Sequence, residues 1–280
     1  MAKNKLVAPV VKWVGGKRQL LAEITPLLPK RISSYCEPFL GGGAVLFSAQ
    51  PKSAVVNDLN AELIAVYETI RDDVETLIAA LKLHKNTHEH YYLIRDLDRD
   101  KDNYQILSKV AKAARLIFLN KTCYNGLFRV NSAGEFNTPF GYYKNPNIVN
   151  ETVLRAVNKY LNTSSITLYC EDFADTLRRI TKDCFVYIDP PYDPVSNTAS
   201  FTGYNKGGFD KAEQIRLKKC CDDLNARGIR FLLSNSATAF IKELYKDYFI
   251  SLVEAKRAIN SDATRRGATP EVFIRNYEAK

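Results

Sequence analysis

Two spacings of hydrophobic residues divide the chain. Leu20, Leu21, Ile24, Leu27 and Leu28 recur at helical intervals until Pro29 stops them. A short apolar and aromatic stretch then runs into Glu37-Pro38-Phe39-Leu40-Gly41-Gly42-Gly43 and the helix-like Ala44-Val45-Leu46-Phe47, which reads as strand, glycine loop and helix. Ala54-Val55-Val56-Asn57 forms a second short strand, closed by Asp58. From Leu63 the period is helical, through Leu63, Val66, Tyr67 and Ile70, then Val74, Leu77, Ile78 and Leu81, then Val110, Ala113, Ala114, Ile117 and Phe118. No clear strand falls between Leu63 and Asn120. The β pattern returns in Ile166–Tyr169, Phe185–Ile188, Ile229–Leu233 and Val272–Ile274, with a helix carrying Leu217, Cys220, Cys221 and Leu224 before Gly228. The predicted class is α/β: a domain of residues 1–62 and 150–280, interrupted by a mainly helical insert over 63–149.

Composition narrows the setting. At 280 residues the chain can bury a sizeable core, and a formal charge of +9 favours an anionic partner, nucleic acid being the usual one. No run of about 20 apolar residues is present, so no membrane span is expected. Met1-Ala2-Lys3-Asn4-Lys5 lacks the apolar core of a signal peptide. The six cysteines include no C-x-x-C spacing and read as reduced, with Cys220 and Cys221 as small core residues, which points to the cytoplasm. His84, His88 and His90 lie in a polar segment without a further ligand nearby, so they read as solvated surface and no metal is expected.

The most informative tetrapeptide is Asp189-Pro190-Pro191-Tyr192, placed where Cys184-Phe185-Val186-Tyr187-Ile188 ends. Ligands of open α/β sheets bind beyond the carboxyl ends of strands. The prolines withhold two N–H groups and leave carbonyls as acceptors. An exocyclic amine donates hydrogen bonds, so Asp189 and the Pro190 carbonyl offer it two acceptors while Tyr192 stacks on its ring. The plain alternative is a turn with a tyrosine packed on the core edge. The Gly41-Gly42-Gly43 loop equally suits dinucleotide, phosphate or simple turn geometry. It departs from G-x-G-x-x-G, and no Lys-Ser or Lys-Thr follows, which lowers the nicotinamide and ATP readings. Asp58 stands where a ribose-binding carboxylate follows a nucleotide-binding loop.

Five ordered motifs carry a resemblance. They are Lys12-Trp13-Val14-Gly15-Gly16-Lys17, Glu37 to Gly43, Asn57-Asp58, Asp172-Phe173 and Asp189 to Tyr192, joined by the blocks Asn120 to Arg129 and Asn137 to Lys144. The chain resembles, nearly end to end, the Dam-type (alpha-group) DNA adenine N6-methyltransferases, including methylases of GATC-specific restriction-modification systems. The resemblance implies a Rossmann-like S-adenosylmethionine-dependent catalytic domain with a target-recognition insert at 63–149. It implies cofactor contacts from Trp13, Gly15, Gly16, Lys17, Glu37, Pro38, Phe39, Gly41, Gly42, Gly43, Asp58, Asp172, Phe173 and Asp189, with Asp172 and Phe173 at the cofactor's adenine. It implies catalysis by Asp189, Pro190, Pro191 and Tyr192.

For DNA, it implies Arg129 on a guanine, Leu127 and Pro139 on thymine methyls, and Lys12 at the outer base pair. Tyr124, Asn125 and Asn131 would fill the space left by an extruded base, with Tyr143 in support. Taken on its residues alone, Tyr124 to Asn131 suits a loop pressed into a groove, and Arg129 suits either a base edge or a phosphate. Double-stranded DNA is the expected partner; no obligate protein partner is inferred, and a companion restriction endonuclease is compatible. A C5-cytosine enzyme would need a Pro-Cys nucleophile, which is absent; N4-cytosine enzymes usually carry serine, and RNA adenine enzymes asparagine, where Asp189 stands. A non-catalytic DNA-binding protein on the same fold is the reading from another class. The stretch from Pro194 to Tyr204 reads as a lip over the pocket or as a plain loop.

Overall fold

The computed structural model describes residues 3–195, 208–256 and 268–278. Two compact units form: residues 1–16, 41–50 and 60–170 make the first, and residues 17–40, 51–59 and 171–280 the second. The span 63–149 lies wholly within the first. The expected α/β class holds, with strands β1 (Ser34–Glu37), β2 (Ser53–Asn57), β3 (Ser165–Tyr169), β4 (Cys184–Ile188), β5 (Arg230–Ser236), β6 (Phe249–Lys256) and β7 (Ala268–Arg275).

In the second unit the strand order is β2-β1-β4-β5-β7-β6. The first four run parallel, and β7 lies antiparallel between β5 and β6. β4 is buried at every position because it is central, which is why its sequence is one continuous apolar run. Ile188, Leu233 and Ile274 of β4, β5 and β7 share a core with Leu217, Cys221 and Leu224 of the helix Lys211–Ala226. Strand order reverses between β1 and β4, so residues after Glu37 and after Ile188 flank the topological switch point. β6 was not predicted from the sequence, and Val272–Ile274 lies in the C-terminal half of the longer strand β7.

The first unit is mainly helical. Ala61–Asp72, Val74–Lys82 and Lys109–Thr122 follow the predicted periods, joined by helices His88–Arg95 and Glu151–Thr163 and by strand β3. Asn60, Thr87, Ser108 and Asn150 each accept from a backbone N–H three residues on and start their helices. Arg115 is fully buried and ion-paired with Asp98 at 2.7 Å.

His88 is exposed as expected, whereas His84 departs from the solvated-surface expectation. His84 is half-buried, its ring stacked on Phe118 at 4.5 Å, and its Nδ1 lies 3.1 Å from Nε2 of His90. Burial, then the neighbouring His90, lowers the His84 imidazole from 6.5 to about 4. The neutral ring is preferred in the folded state, so stability is full above 6.5 and declines as pH falls towards about 4. Denaturant melts at stepped pH should show this slope, and His84→Gln should flatten it; equal slopes would contradict the assignment. Among the described residues no group of three or more His, Cys, Asp or Glu is placed to hold a metal, and no helix is long and apolar enough to cross a membrane.

Candidate active site

Asp189 follows β4 directly, and the register pairs Ile188 with Leu233, which sets Asp189 beside Ser234. The Ser234 hydroxyl donates to Asp189 Oδ1 at 2.9 Å, and the Lys17 ammonium lies 2.8 Å from the same oxygen. Lys17 is 4% exposed, so this ion pair is shielded from screening by water. Tyr187, one turn of the pleat earlier, places its hydroxyl 3.2 Å from Ser234 Oγ. Burial raises the Asp189 carboxyl above its ordinary value, and the Lys17 charge followed by the hydrogen bonds from Lys17 and Ser234 pull it back in part. The Lys17 ammonium also sits 4.6 Å from the centre of the Tyr192 ring, a cation–π contact. Lys17 is thus placed on the acid of the tetrapeptide, Asp189, a residue expected at the cofactor as well.

The turn itself is fixed by neighbours that sequence reading did not single out. Gln214 donates to the Pro191 carbonyl at 2.9 Å, and Asn235 donates to Gln214 Oε1 at 3.0 Å. Asn235 Oδ1 accepts from the Asp193 N–H, and Ser236 Oγ donates to the Asp193 carbonyl. Tyr192 donates to Glu271 Oε2 at 2.7 Å. Ser234-Asn235-Ser236 was legible in principle: polar residues stand at the end of an apolar strand, as Asp189 does. Most of the predicted lip, residues 196–204, lies outside the described residues.

Around the other parallel strand ends, Glu37 is buried and accepts from the Tyr35 hydroxyl at 2.9 Å. Asn57 donates to the Pro38 and Glu171 carbonyls and accepts from the Glu171 N–H, which ties the loop after β1 to the segment leading into Asp172. Asp58 is partly exposed just beyond β2. The rings of Phe39 and Phe173 lie 5.2 Å apart, with Phe209 5.7 Å from Phe39. Asp172 accepts from the Ala174 N–H and starts the helix Phe173–Arg178, while both its oxygens accept from Arg216 at 2.7 Å. The Arg216 hydrogen bonds, aided by the Ala174 N–H, outweigh burial and hold the Asp172 carboxyl below its usual range.

In the first unit, Trp13 and Val11 explain two of the glycines. A Cβ on Gly41 would meet the indole at 2.9 Å, and one on Gly42 would meet the Val11 carbonyl at 3.3 Å. Gly43 precedes the helix Ala44–Ala49 at φ +68, where a side chain would also strike Phe47. Gly16 accepts no Cβ either, with the Trp13 carbonyl 2.9 Å away, and Gly15 has φ +76. Trp13 stacks on Phe128 at 5.0 Å.

The block expected as a groove loop is a short hairpin-like ribbon. Bridges join Cys123 to Phe140 and Val130 to Phe136, and the Asn137 N–H donates to the Arg129 carbonyl across it. Tyr124–Gly126 turns through left-handed Asn125 and Gly126, and the Asn125 N–H donates to the Tyr143 hydroxyl at 3.0 Å. Asn120 is buried and clamps Lys12, accepting from its N–H and donating to its carbonyl at 2.8 Å each, while also donating to the Gly126 carbonyl. Lys12, Tyr124, Arg129, Asn131, Pro139 and Tyr143 are therefore gathered on one unit with exposed side chains, and Asn125 and Leu127 are partly exposed. Arg129 Nε donates to Asn137 Oδ1 at 2.8 Å. Asn131 caps the ribbon's turn, accepting from the Ala133 and Glu135 N–H groups.

The described residues form a mixed α/β fold in which Asp189 stands at the carboxyl end of the central strand β4. The sequence profile of the D12 class of N6 adenine-specific DNA methyltransferases matches residues 13–259. Type II methyltransferase M1.LlaDCHI of Lactococcus lactis subsp. cremoris is 41% identical over 99% of this chain and 98% of its own length. Type II methyltransferase M.MjaIII of Methanocaldococcus jannaschii is 41% identical over 97% and 99%, and the DNA adenine methylase of Escherichia coli K12 is 32% identical over 98% and 95%. The chain belongs to the D12 class of N6 adenine-specific DNA methyltransferases. It is an enzyme that methylates adenine in DNA.

Proposed function

We propose that the chain methylates adenine N6 within double-stranded GATC, using S-adenosylmethionine and an extruded target base. The observation that carries this reading is the shielded Asp189 carboxylate, held by Lys17 and Ser234 at the switch point of the sheet. An amine inside a duplex cannot be reached without leaving the stack, at a cost of a few kcal/mol that pocket contacts offset. Lys17 and Ser234 both hold Oδ1 of Asp189, so we assign the amine to Oδ2 and to the Pro190 carbonyl. The Pro191 carbonyl is engaged by Gln214, which fixes the turn that presents the Pro190 oxygen. Two acceptors draw the amine from planar towards tetrahedral geometry and aim its lone pair. Stacking on Tyr192 contributes about 1–3 kcal/mol by analogy with other base–aromatic contacts. These residues supply orientation and electrostatics for a direct displacement, and the amine's proton leaves once the nitrogen is methylated.

The donor set suits S-adenosylmethionine. Phe39 and Phe173 offer apolar faces for an adenine, and Asp58 and Glu37 offer acceptors for hydroxyls and a positive charge. When bound, the cofactor supplies an electrophilic methyl group on a sulfonium. Trp13, Gly15, Gly16, Lys17, Glu37 to Phe39, Gly41 to Gly43, Asp58, Asp172, Phe173 and Asp189 are assigned to it by motif order. Residues 63–149 are assigned to target recognition, with Arg129 on guanine, Leu127 and Pro139 on thymine, Lys12 on the outer pair, and Tyr124, Asn125 and Asn131 at the gap beside Tyr143.

The relatives named type II methyltransferases favour a place beside a restriction endonuclease, and the same chemistry at another adenine-containing sequence is the second reading. Incubating the purified chain with methyl-labelled S-adenosylmethionine and duplexes that carry or permute GATC tests both. Label in N6-methyldeoxyadenosine from the GATC duplex alone is expected. Label only from a permuted duplex would remove the target assignment, and label in cytosine would remove the chemistry.

A further inference from the structure

Tyr192 is held by more than its own turn. Its hydroxyl donates to Glu271 Oε2 at 2.7 Å, and Glu271 belongs to β7, where it stands opposite Ser236 of β5. β7 runs antiparallel to β5, so a residue about 80 positions further along the chain returns to the edge at which β4 and β5 end. Ser234, two residues before Ser236 on β5, donates to Asp189. The acceptor half of the site and its aromatic half are therefore fastened to two neighbouring strands. Lys17 links them from the other side, 2.8 Å from Asp189 Oδ1 and 4.6 Å from the Tyr192 ring centre.

From this geometry we infer that Glu271 is a positioning residue for methyl transfer: by accepting the Tyr192 hydroxyl it fixes the plane of the ring on which the extruded adenine stacks. The inference rests on the assignment of Tyr192 to the target base. Tyrosine has a soft ring torsion, and a hydrogen bond at the far end of the side chain is the contact that stops the ring from rocking about it. A carboxylate acceptor makes that bond about twice as strong as a neutral one. Burial, with Asp189 and Glu271 nearby, keeps the phenol protonated as the donor. With Lys17 over one face of the ring, the base takes the other.

The test compares wild type, Glu271→Ala, Glu271→Gln, Tyr192→Phe and Glu271→Ala/Tyr192→Phe. Three quantities are read: the single-turnover rate, the cofactor Kd, and the fluorescence of duplexes with 2-aminopurine at the target adenine. Glu271→Ala should slow the single-turnover step on the order of ten-fold, the scale of one lost hydrogen bond to a charged group. It should alter the fluorescence of the extruded base and leave the cofactor Kd within about two-fold. Glu271→Gln keeps an acceptor and should recover most of the rate. Tyr192→Phe should lose at least as much rate as Glu271→Ala, since the hydroxyl also hydrogen-bonds Asp189, and the double variant should be no slower than Tyr192→Phe alone, because Glu271 acts through that hydroxyl. Wild-type rate and fluorescence in Glu271→Ala would overturn the inference. So would multiplicative losses in the double variant, which place the action of Glu271 elsewhere. A wild-type enzyme that methylates adenine without any 2-aminopurine response would instead remove the base-extrusion reading on which this one rests.

Discussion

Asp189→Ala should lower turnover by about 10³-fold or more while duplex binding stays within a few-fold. Loss of one preorganised polar group at a reacting centre costs about 10²–10³ in rate. Here the group is charged, partly buried and held by Lys17 and Ser234, so its removal also strips the amine of its strongest acceptor. The variant has a second consequence. Lys17 is 4% exposed and would lose its counter-charge, and breaking a buried ion pair on one side costs about 3–5 kcal/mol. A lowered melting temperature is therefore expected with the lost rate, and Asp189→Ala/Lys17→Met should regain stability without regaining turnover. In the wild type, the raised Asp189 carboxyl binds its proton more readily than an ordinary one. Activity should therefore begin to fall on acidification at a pH above the usual aspartate value of about 3.9. Near-normal methylation by Asp189→Ala would sink the mechanism.

The second large effect concerns sequence choice. Arg129→Ala should relax discrimination at one guanine by about 5- to 150-fold, the equivalent of the roughly 1–3 kcal/mol carried by a good bidentate contact. Overall duplex affinity should fall less, and the slope of log affinity against log salt should change by about one or less. Arg129 is exposed, and Asn137 on the facing arm of the ribbon accepts from its Nε, which limits the rotamers the side chain samples before it meets DNA. Competition assays with duplexes altered at each position measure the profile. A profile unchanged from wild type, with affinity weakened evenly across sequences, would mean that Arg129 contacts phosphate.

How far the sequence carried depends on how local each feature is. β4 and the tetrapeptide after it were legible because a central strand is apolar throughout and the polar residue that ends it stands out. β6 was not: it is an outer strand with Phe249 and Leu252 largely exposed, so its hydrophobic residues do not alternate with burial. β7 carries Pro270 and Thr269 ahead of its apolar core, which shortened its apparent length. The same distinction separates the site residues. Asp189 and the glycine loop announce themselves within a few positions, whereas Ser234, Gln214 and Glu271 matter only because β5 and β7 lie next to β4 out of chain order. His84 read as surface because its segment is polar, yet Phe118, 34 positions on, takes its ring. The ion pair of Lys17 with Asp189 was likewise hidden, since the two residues lie far apart in the chain and meet only through the fold.

The central claim is a modified base at a defined sequence, and the most direct measurement is single-base mapping of methylation in DNA from an otherwise unmethylated host that expresses the chain. N6-methyladenine at nearly every GATC, and its absence in the Asp189→Ala control, is the predicted result. Methyladenine confined to another sequence would contradict the target assignment, and DNA without methyladenine would contradict the proposed reaction.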